Sequence, residues 1–168
     1  MIVLLPPSET KRAGGDGPPL QLDRLHTPAL TPLRTELVGE LLELAADEQA
    51  CRTALGISAA QHAEVERNAA LRTSPTLPAI DRYTGVLYGE LDAASLGAVG
   101  RRRLDRSLLV VSGLWGLVAP SDPIPHYKLK MSANVPPLGK LSTWWRPAVT
   151  AAVAARAERA LVWDLLPI

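Results

Sequence analysis

Apolar positions recur along the chain in two rhythms. Met1–Leu5 is an unbroken apolar run closed by Pro6 and Pro7, the pattern of a buried strand whose loop starts at the prolines. Leu33, Leu37, Leu41 and Leu44 return at three- and four-residue intervals, which predicts one stripe of an amphipathic helix. Thr31 as N-cap and Pro32 at the first helical position open that helix, and it runs to about Ala50. Ser58 and Gln61 have capping-box spacing and open a second helix to about Leu71. Ser74, Pro75 and Pro78 end it. The stretch 12–32 is rich in Gly and Pro and reads as an irregular connector.

Past Pro78 the predicted elements shorten. Ala79–Tyr83 reads as a brief strand, Thr84 and Gly85 as a turn or helix start, and Asp92 as the cap of a short helix through Leu96. A helix follows around Arg101–Arg106. Leu108–Val111 is apolar and ends in two valines, a buried strand that Gly113 and Gly116 close. His126–Met131 alternates Tyr127, Leu129 and Met131 against Lys128 and Lys130, again a strand pattern. Ser142 caps a helix through about Glu158, and Leu161–Leu165 reads as a last strand with an inner position. Strands and helices interleave through connections of unequal length. The fold class this predicts is α+β, a mixed β-sheet flanked by helices, in one domain over residues 1–168. An inner strand three residues from Ile168 points to a fragment of a longer protein.

The composition adds limits. Of 168 residues, 47% are apolar and 21% charged, which excludes a wholly disordered chain. The net charge of +1 demands neither nucleic acid nor membrane. Its distribution is lopsided. Residues 1–100 carry 8 basic and 13 acidic groups, a balance of −5, and residues 101–168 carry 10 and 4, a balance of +6. An anion-binding face therefore draws on the second half. Cys51 is the sole cysteine, so an intrachain disulfide and a four-thiolate zinc site are excluded. With only His26, His62 and His126 beside it, neither a metal centre nor a cofactor is expected. No apolar run approaches the roughly 20 residues of a membrane span, and no basic segment precedes the first strand. The expected location is cytoplasmic.

Four stretches carry candidate chemistry. Ser8 and Lys11 stand three apart directly after the first strand, the spacing of serine acyl-enzymes, although the companion signatures are missing. A polar solvated loop and an anion-holding loop remain open there. Gly85 and Gly89 flank an apolar pair and suit either a tight turn or backbone amides offered to phosphate. Arg101, Arg102, Arg103 and Arg106 form the densest positive charge, although consecutive helical positions fan widely and cannot all meet one ligand. Lys128 and Lys130 project together from an extended segment next to Tyr127, and call for solvent or an anion.

Taken in order, these stretches resemble the bacterial YaaA peroxide-stress family. The opening Pro6-Pro7-Ser8-Glu9-Thr10-Lys11 is similar to the family's Ile-Ser-Pro-Ala-Lys, and Tyr83–Gly89 to its Gly-x-Val-Tyr-x-Gly. Val111–Leu117 resembles its Leu-Ser-Gly-Leu-Tyr-Gly-Leu block, and Pro125–Met131 its Pro-Tyr-Arg-Leu-Glu-Met. Two departures stand out: Glu9-Thr10 replaces the alanine before lysine, and Lys130 the glutamate before methionine. The family is usually about half as long again, and its last third has no counterpart here. The resemblance implies a cytosolic protein that limits oxidative damage by lowering free iron. It also implies a positive cleft and a helix-hairpin-helix-like element that bind DNA, duplex or distorted, without sequence preference.

Two readings follow. In the first, a non-enzymatic protein sets Lys11, Gly85, Gly89, Arg101, Arg102, Arg103, Arg106, Lys128 and Lys130 against DNA phosphates. In the second, an enzyme holds a phosphorylated or nucleotide-like small molecule in an anion pocket around Ser8, Lys11 and Tyr127. DNA needs basic groups spread over an open groove, and an enzyme needs them converging on a closed pocket with a perturbed base.

Overall fold

A computed structural model describes residues 1–167. The first apolar run forms β1 (Ile2–Leu5). The Gly/Pro-rich connector is less irregular than expected: it carries β2 (Gly17–Pro19) and two 3-10 turns, Leu22–Arg24 and Pro28–Leu30. The leucine stripe forms α1 (Thr31–Ala45), which buries Leu37, Val38 and Leu41. It stops short of Ala50 because Asp47 Oδ1 accepts the Ala50 N–H at 3.0 Å and starts a new helix, α2 (Glu48–Leu55). Cys51 is buried inside α2. After Ser58, where Gln61 Oε1 accepts from the Ser58 N–H at 3.4 Å, come a short 3-10 turn and α3 (Ala63–Ala69).

The next segment corrects the pattern reading. The strand is β3 (Pro75–Pro78), and Ala79–Tyr83 begins with the helical turn α4 (Ala79–Arg82). Its first amides donate outward, Ala79 N–H to Asp122 O at 2.8 Å and Ile80 N–H to Pro120 O at 3.0 Å, while Tyr83 N–H returns to Ala79 O. Then follow α5 (Val86–Leu91) and α6 (Ala98–Ser107). β4 (Leu108–Ser112) and β5 (Gly116–Val118) are buried throughout. Gly116 has φ +69, and a Cβ there would lie 2.8 Å from the Trp145 ring, so only glycine fits. Short pairings β6 (Pro123–Ile124), β7 (Asn134–Val135) and β8 (Gly139–Lys140) lead to α7 (Leu141–Ala157) and β9 (Val162–Asp164).

The main sheet runs β5-β4-β1-β9. β1 lies between two parallel partners, β4 and β9, and β5 joins β4 antiparallel. This mixed sheet with its helices is the expected α+β class. A second sheet runs β2-β3-β6. Among the described residues β9 takes an outer rather than an inner position, paired with β1, and Trp163 is 52% exposed.

His126–Met131 also departs from expectation. It keeps the predicted alternation, with Tyr127 and Leu129 buried, but among the described residues it pairs with no strand. Buried Asn68 takes the place of a neighbouring strand: its Oδ1 accepts the Lys128 N–H at 2.8 Å and its Nδ2 donates to Lys128 O at 2.9 Å. One side chain thus satisfies both backbone groups of Lys128. No helix of the described residues is long and apolar enough to cross a membrane.

Candidate functional site

The chain leaves β1 at Leu5, and the Pro6–Lys11 loop crosses the carboxyl end of the sheet. Two backbone hydrogen bonds hold it and pair Lys11 with Tyr83: Thr84 N–H donates to Thr10 O at 3.2 Å, and Arg12 N–H donates to Arg82 O at 2.8 Å. The Arg82 guanidinium is fully buried and donates only to backbone: Nε to Ile124 O at 3.2 Å, Nη1 to Gly14 O at 2.8 Å and to Arg12 O, and Nη2 to Pro75 O at 3.2 Å. One buried cation thereby fixes the loop after β1 against α4 and β3.

Beneath the loop lies a chain of hydroxyls. Ser112 Oγ accepts the N–H groups of Leu114 and Trp115, both at 3.2 Å, so its own hydroxyl is the donor to Tyr127 Oη at 2.8 Å. Tyr127 Oη lies 2.8 Å from Tyr83 Oη, and Tyr88 Oη donates to Pro6 O at 2.8 Å. Burial pushes the Tyr127 phenol up to about 12 and the Tyr83 and Tyr88 phenols higher, so all three stay neutral at physiological pH.

Lys11 rests on this layer. Its Nζ donates to Ser8 O at 3.0 Å and stands 4.3 Å from the Tyr127 ring centre and 5.7 Å from that of Tyr83. Burial, then the charge of Lys128, lowers its ammonium to about 8. Lys128 and Lys130 face the same space and share Glu9, at 3.8 and 3.1 Å. The hydrogen bond from Lys130 is the main cause that holds the Glu9 carboxyl below its ordinary value. These groups line a half-open cleft of about 300 Å³, with Pro6, Ser8, Tyr127 and Met131 among its walls.

Beside the cleft lies a closed polar pair. Glu64 Oε1 accepts from Arg67 Nη1 at 2.6 Å, while Glu64 Oε2 and His126 Nδ1 lie 4.0 Å apart, both buried and without a hydrogen-bond partner. Burial, reinforced by Arg67, lowers the His126 imidazole to about 4, so it is neutral at pH 7.

The remaining candidates lie elsewhere. Gly85, at φ +99, starts α5, and a Cβ on it would lie 3.2 Å from Ser8 Oγ. Gly85 and Gly89 are exposed and line a neighbouring recess. Arg101 is engaged in a two-pronged bond to Asp81, at 2.9 and 3.2 Å. Arg102, Arg103 and Arg106 are exposed and line a separate shallow recess with Val99 and Ser107. Arg106 adjoins the amino end of β4, whereas the lysine cleft opens beyond the carboxyl end of β1. The two strands are parallel, with Val3 opposite Leu108. Arg106 and the lysines therefore lie toward opposite ends of the sheet, while Arg101 is held at α4 by Asp81. Among the described residues, no group of three or more His, Cys, Asp or Glu is placed to hold a metal ion.

Pattern reading missed Glu9, Glu64, Asn68, Arg82, Tyr83 and Ser112. For Glu9 a signal was present: the two departures from the family pattern, at Glu9-Thr10 and Lys130, meet in space as an ion pair of 3.1 Å. The neighbourhood is a lysine-lined cleft with one desolvated amine, in which Lys128 and Lys130 share the Glu9 carboxylate.

Comparison with known proteins supplies a lineage. A family model described as "Peroxide stress protein YaaA" matches residues 1–167. A UPF0246 protein of Streptomyces coelicolor is 48% identical over 166 residues, covering 98% of this chain and 64% of its own length. One from Corynebacterium glutamicum is 46% identical over 136 residues, covering 81% of this chain and 53% of its own. The chain thus spans between half and two thirds of these relatives.

Proposed function

The chain belongs to the YaaA family of peroxide stress proteins, and from that premise we propose that it serves the peroxide-stress response by binding a phosphorylated, nucleotide-like small molecule in the lysine cleft. The observation that carries this reading is convergence: Lys11, Lys128 and Lys130 line one cleft of about 300 Å³, a size suited to a small ligand. Neutral Tyr127 forms part of its wall, and Glu9 sits where the ligand's anion would go. The physiological effect we attach to this binding is the lower free iron that the family resemblance implies. A cytoplasmic site of action is part of the same proposal.

A second reading, sequence-independent binding of DNA phosphates, is supported by one observation. The Gly85 turn adjoins Ser8 and Thr10, so the exposed residues Gly85 and Gly89 lie on the same side of the molecule as the lysine cleft that Ser8 lines.

Titration of the protein with ADP and with a 20-base-pair duplex over a salt series separates the two. The cleft reading predicts one saturable ADP site with shallow salt dependence. A duplex affinity whose log–log salt slope reaches several times about −0.9, with no ADP binding, replaces it with the DNA reading. Binding of neither at low salt removes the phosphate role of the cleft.

A further inference from the structure

Anion attraction explains Lys128 and Lys130 and leaves Lys11 unexplained. Those two reach toward Glu9 at the rim, while Lys11 is drawn inward onto the Tyr127 ring, with its Nζ tied to Ser8 O at 3.0 Å. A lysine whose only task is to attract an anion does better fully charged and near solvent. Burying it beside another ammonium gives charge away. What that placement favours is a free amine lone pair held at a fixed point in an anion-lined cleft.

We propose that Lys11 is a nucleophile that forms an imine with an anionic aldehyde or ketone whose charged group rests on Lys128 and Lys130. The proposal rests on the anion reading of the cleft. In the step, the lone pair of neutral Nζ attacks the carbonyl carbon, and the C=O pair moves to oxygen, which takes a proton. Nitrogen sheds a proton to give the neutral carbinolamine. Its hydroxyl takes a second proton from solvent and leaves as water while the nitrogen lone pair forms C=N, and loss of the remaining N–H proton to solvent leaves the imine. Amine and carbonyl thus give imine and water, with no oxidant or reductant.

The surroundings fit each requirement. One N–H of Lys11 is committed to Ser8 O, which limits how the nitrogen can turn, and the side chain lines the cleft. An ammonium lowered to about 8 supplies a usable fraction of neutral amine near pH 7. The Tyr127 hydroxyl is occupied by Ser112 and Tyr83 and offers the substrate no competing group. Lys128 and Lys130 line the same cleft as Lys11, so an anion held on them keeps its carbonyl in the space that Nζ also faces.

The probe is pyridoxal 5′-phosphate, a phosphorylated aldehyde, added at pH 7 with cyanoborohydride, which reduces the C=N bond to a stable secondary amine located by peptide mapping. Pyridoxine 5′-phosphate, which keeps the phosphate and lacks the aldehyde, is titrated alongside. The expected result is an adduct concentrated on Lys11, formed at least about tenfold faster than at exposed Lys140. Its rate should level off above about pH 8, and pyridoxine 5′-phosphate should slow it. Labelling spread over the surface, or centred on Lys128 or Lys130 while pyridoxine 5′-phosphate still binds, overturns the nucleophile and leaves the anion cleft standing. Failure of pyridoxine 5′-phosphate either to bind or to protect removes the anion cleft, and this proposal with it.

Discussion

Lys11, Lys128 and Lys130 set three amines around one cleft with a carboxylate among them, whereas Arg102, Arg103 and Arg106 project from one exposed helix and line a separate recess. The arginines are closer together in sequence and do less together in space. Successive helical residues turn by about 100°, so a run of arginines fans outward, and its first member, Arg101, is already held by Asp81. Two extended residues separated by one point the same way, so Lys128 and Lys130 cooperate. Lys11 joins them from a loop more than a hundred residues away because Arg82 fixes that loop in place. Charge density along a chain is therefore a weaker guide to a site than the framework that orients each charge.

The largest expected effect separates framework from surface. Arg82→Met strands carbonyls of four residues that the buried guanidinium now satisfies, and should lower the unfolding free energy by about 3 kcal/mol or more. Arg103→Gln should stay within about 0.5 kcal/mol. Urea denaturation compares the two, and equal small losses would erase the distinction.

Next comes Asn68→Leu. It deprives Lys128 of both backbone partners, with an expected stability loss of about 2 kcal/mol and about a tenfold loss of cleft affinity for pyrophosphate. Intact affinity would mean that the lysines need no such positioning.

His126 gives a pH test of the closed pair beside the cleft. Folded His126 gains its proton only near pH 4, while the unfolded side chain gains it at its ordinary value of 6.5. Between these values the unfolded state binds more protons, so His126 costs stability increasingly as pH falls through that window. The expected loss is on the order of 1 kcal/mol for this half-buried ring, and His126→Gln should flatten the curve of stability against pH from 6.5 to 4. Parallel curves for the two proteins would place no strain on this ring.

The smallest effect concerns Glu9, which competes with an incoming anion and is 65% exposed. Glu9→Gln should strengthen pyrophosphate binding about threefold with little change in melting temperature. Weaker binding would make Glu9 part of the binding surface.

The strand–helix order of the chain was legible in its local rhythm. β1 and β4 follow from continuous apolar runs that are buried almost throughout, and α1 from its leucine stripe. The expected caps Thr31 and Ser142 instead lie inside α1 and α7, which start from Leu30 and Lys140. Three features were not legible. Ala79–Arg82 turns helical because the carbonyls of Asp122 and Pro120 receive its first amides, a fact of tertiary packing. Asn68 stands in for a strand neighbour from about 60 residues away, which no local pattern encodes. Arg82 looks like any surface arginine until the fold surrounds it. For the site, Ser8, Lys11, Tyr127, Lys128 and Lys130 were legible as chemistry and do line one cleft. That Arg106 lies toward the other end of the sheet was visible only once the parallel register of β1 and β4 was known.

The most direct test of the account is calorimetric titration with inorganic pyrophosphate of three proteins: the unaltered chain, Lys128→Met/Lys130→Met, and Arg102→Gln/Arg103→Gln/Arg106→Gln. The account predicts one site per chain, an affinity at least about tenfold weaker in the lysine variant from the loss of two charge-assisted contacts, and a change under about twofold in the arginine variant. An affinity that collapses with the arginines and survives loss of the lysines would contradict it.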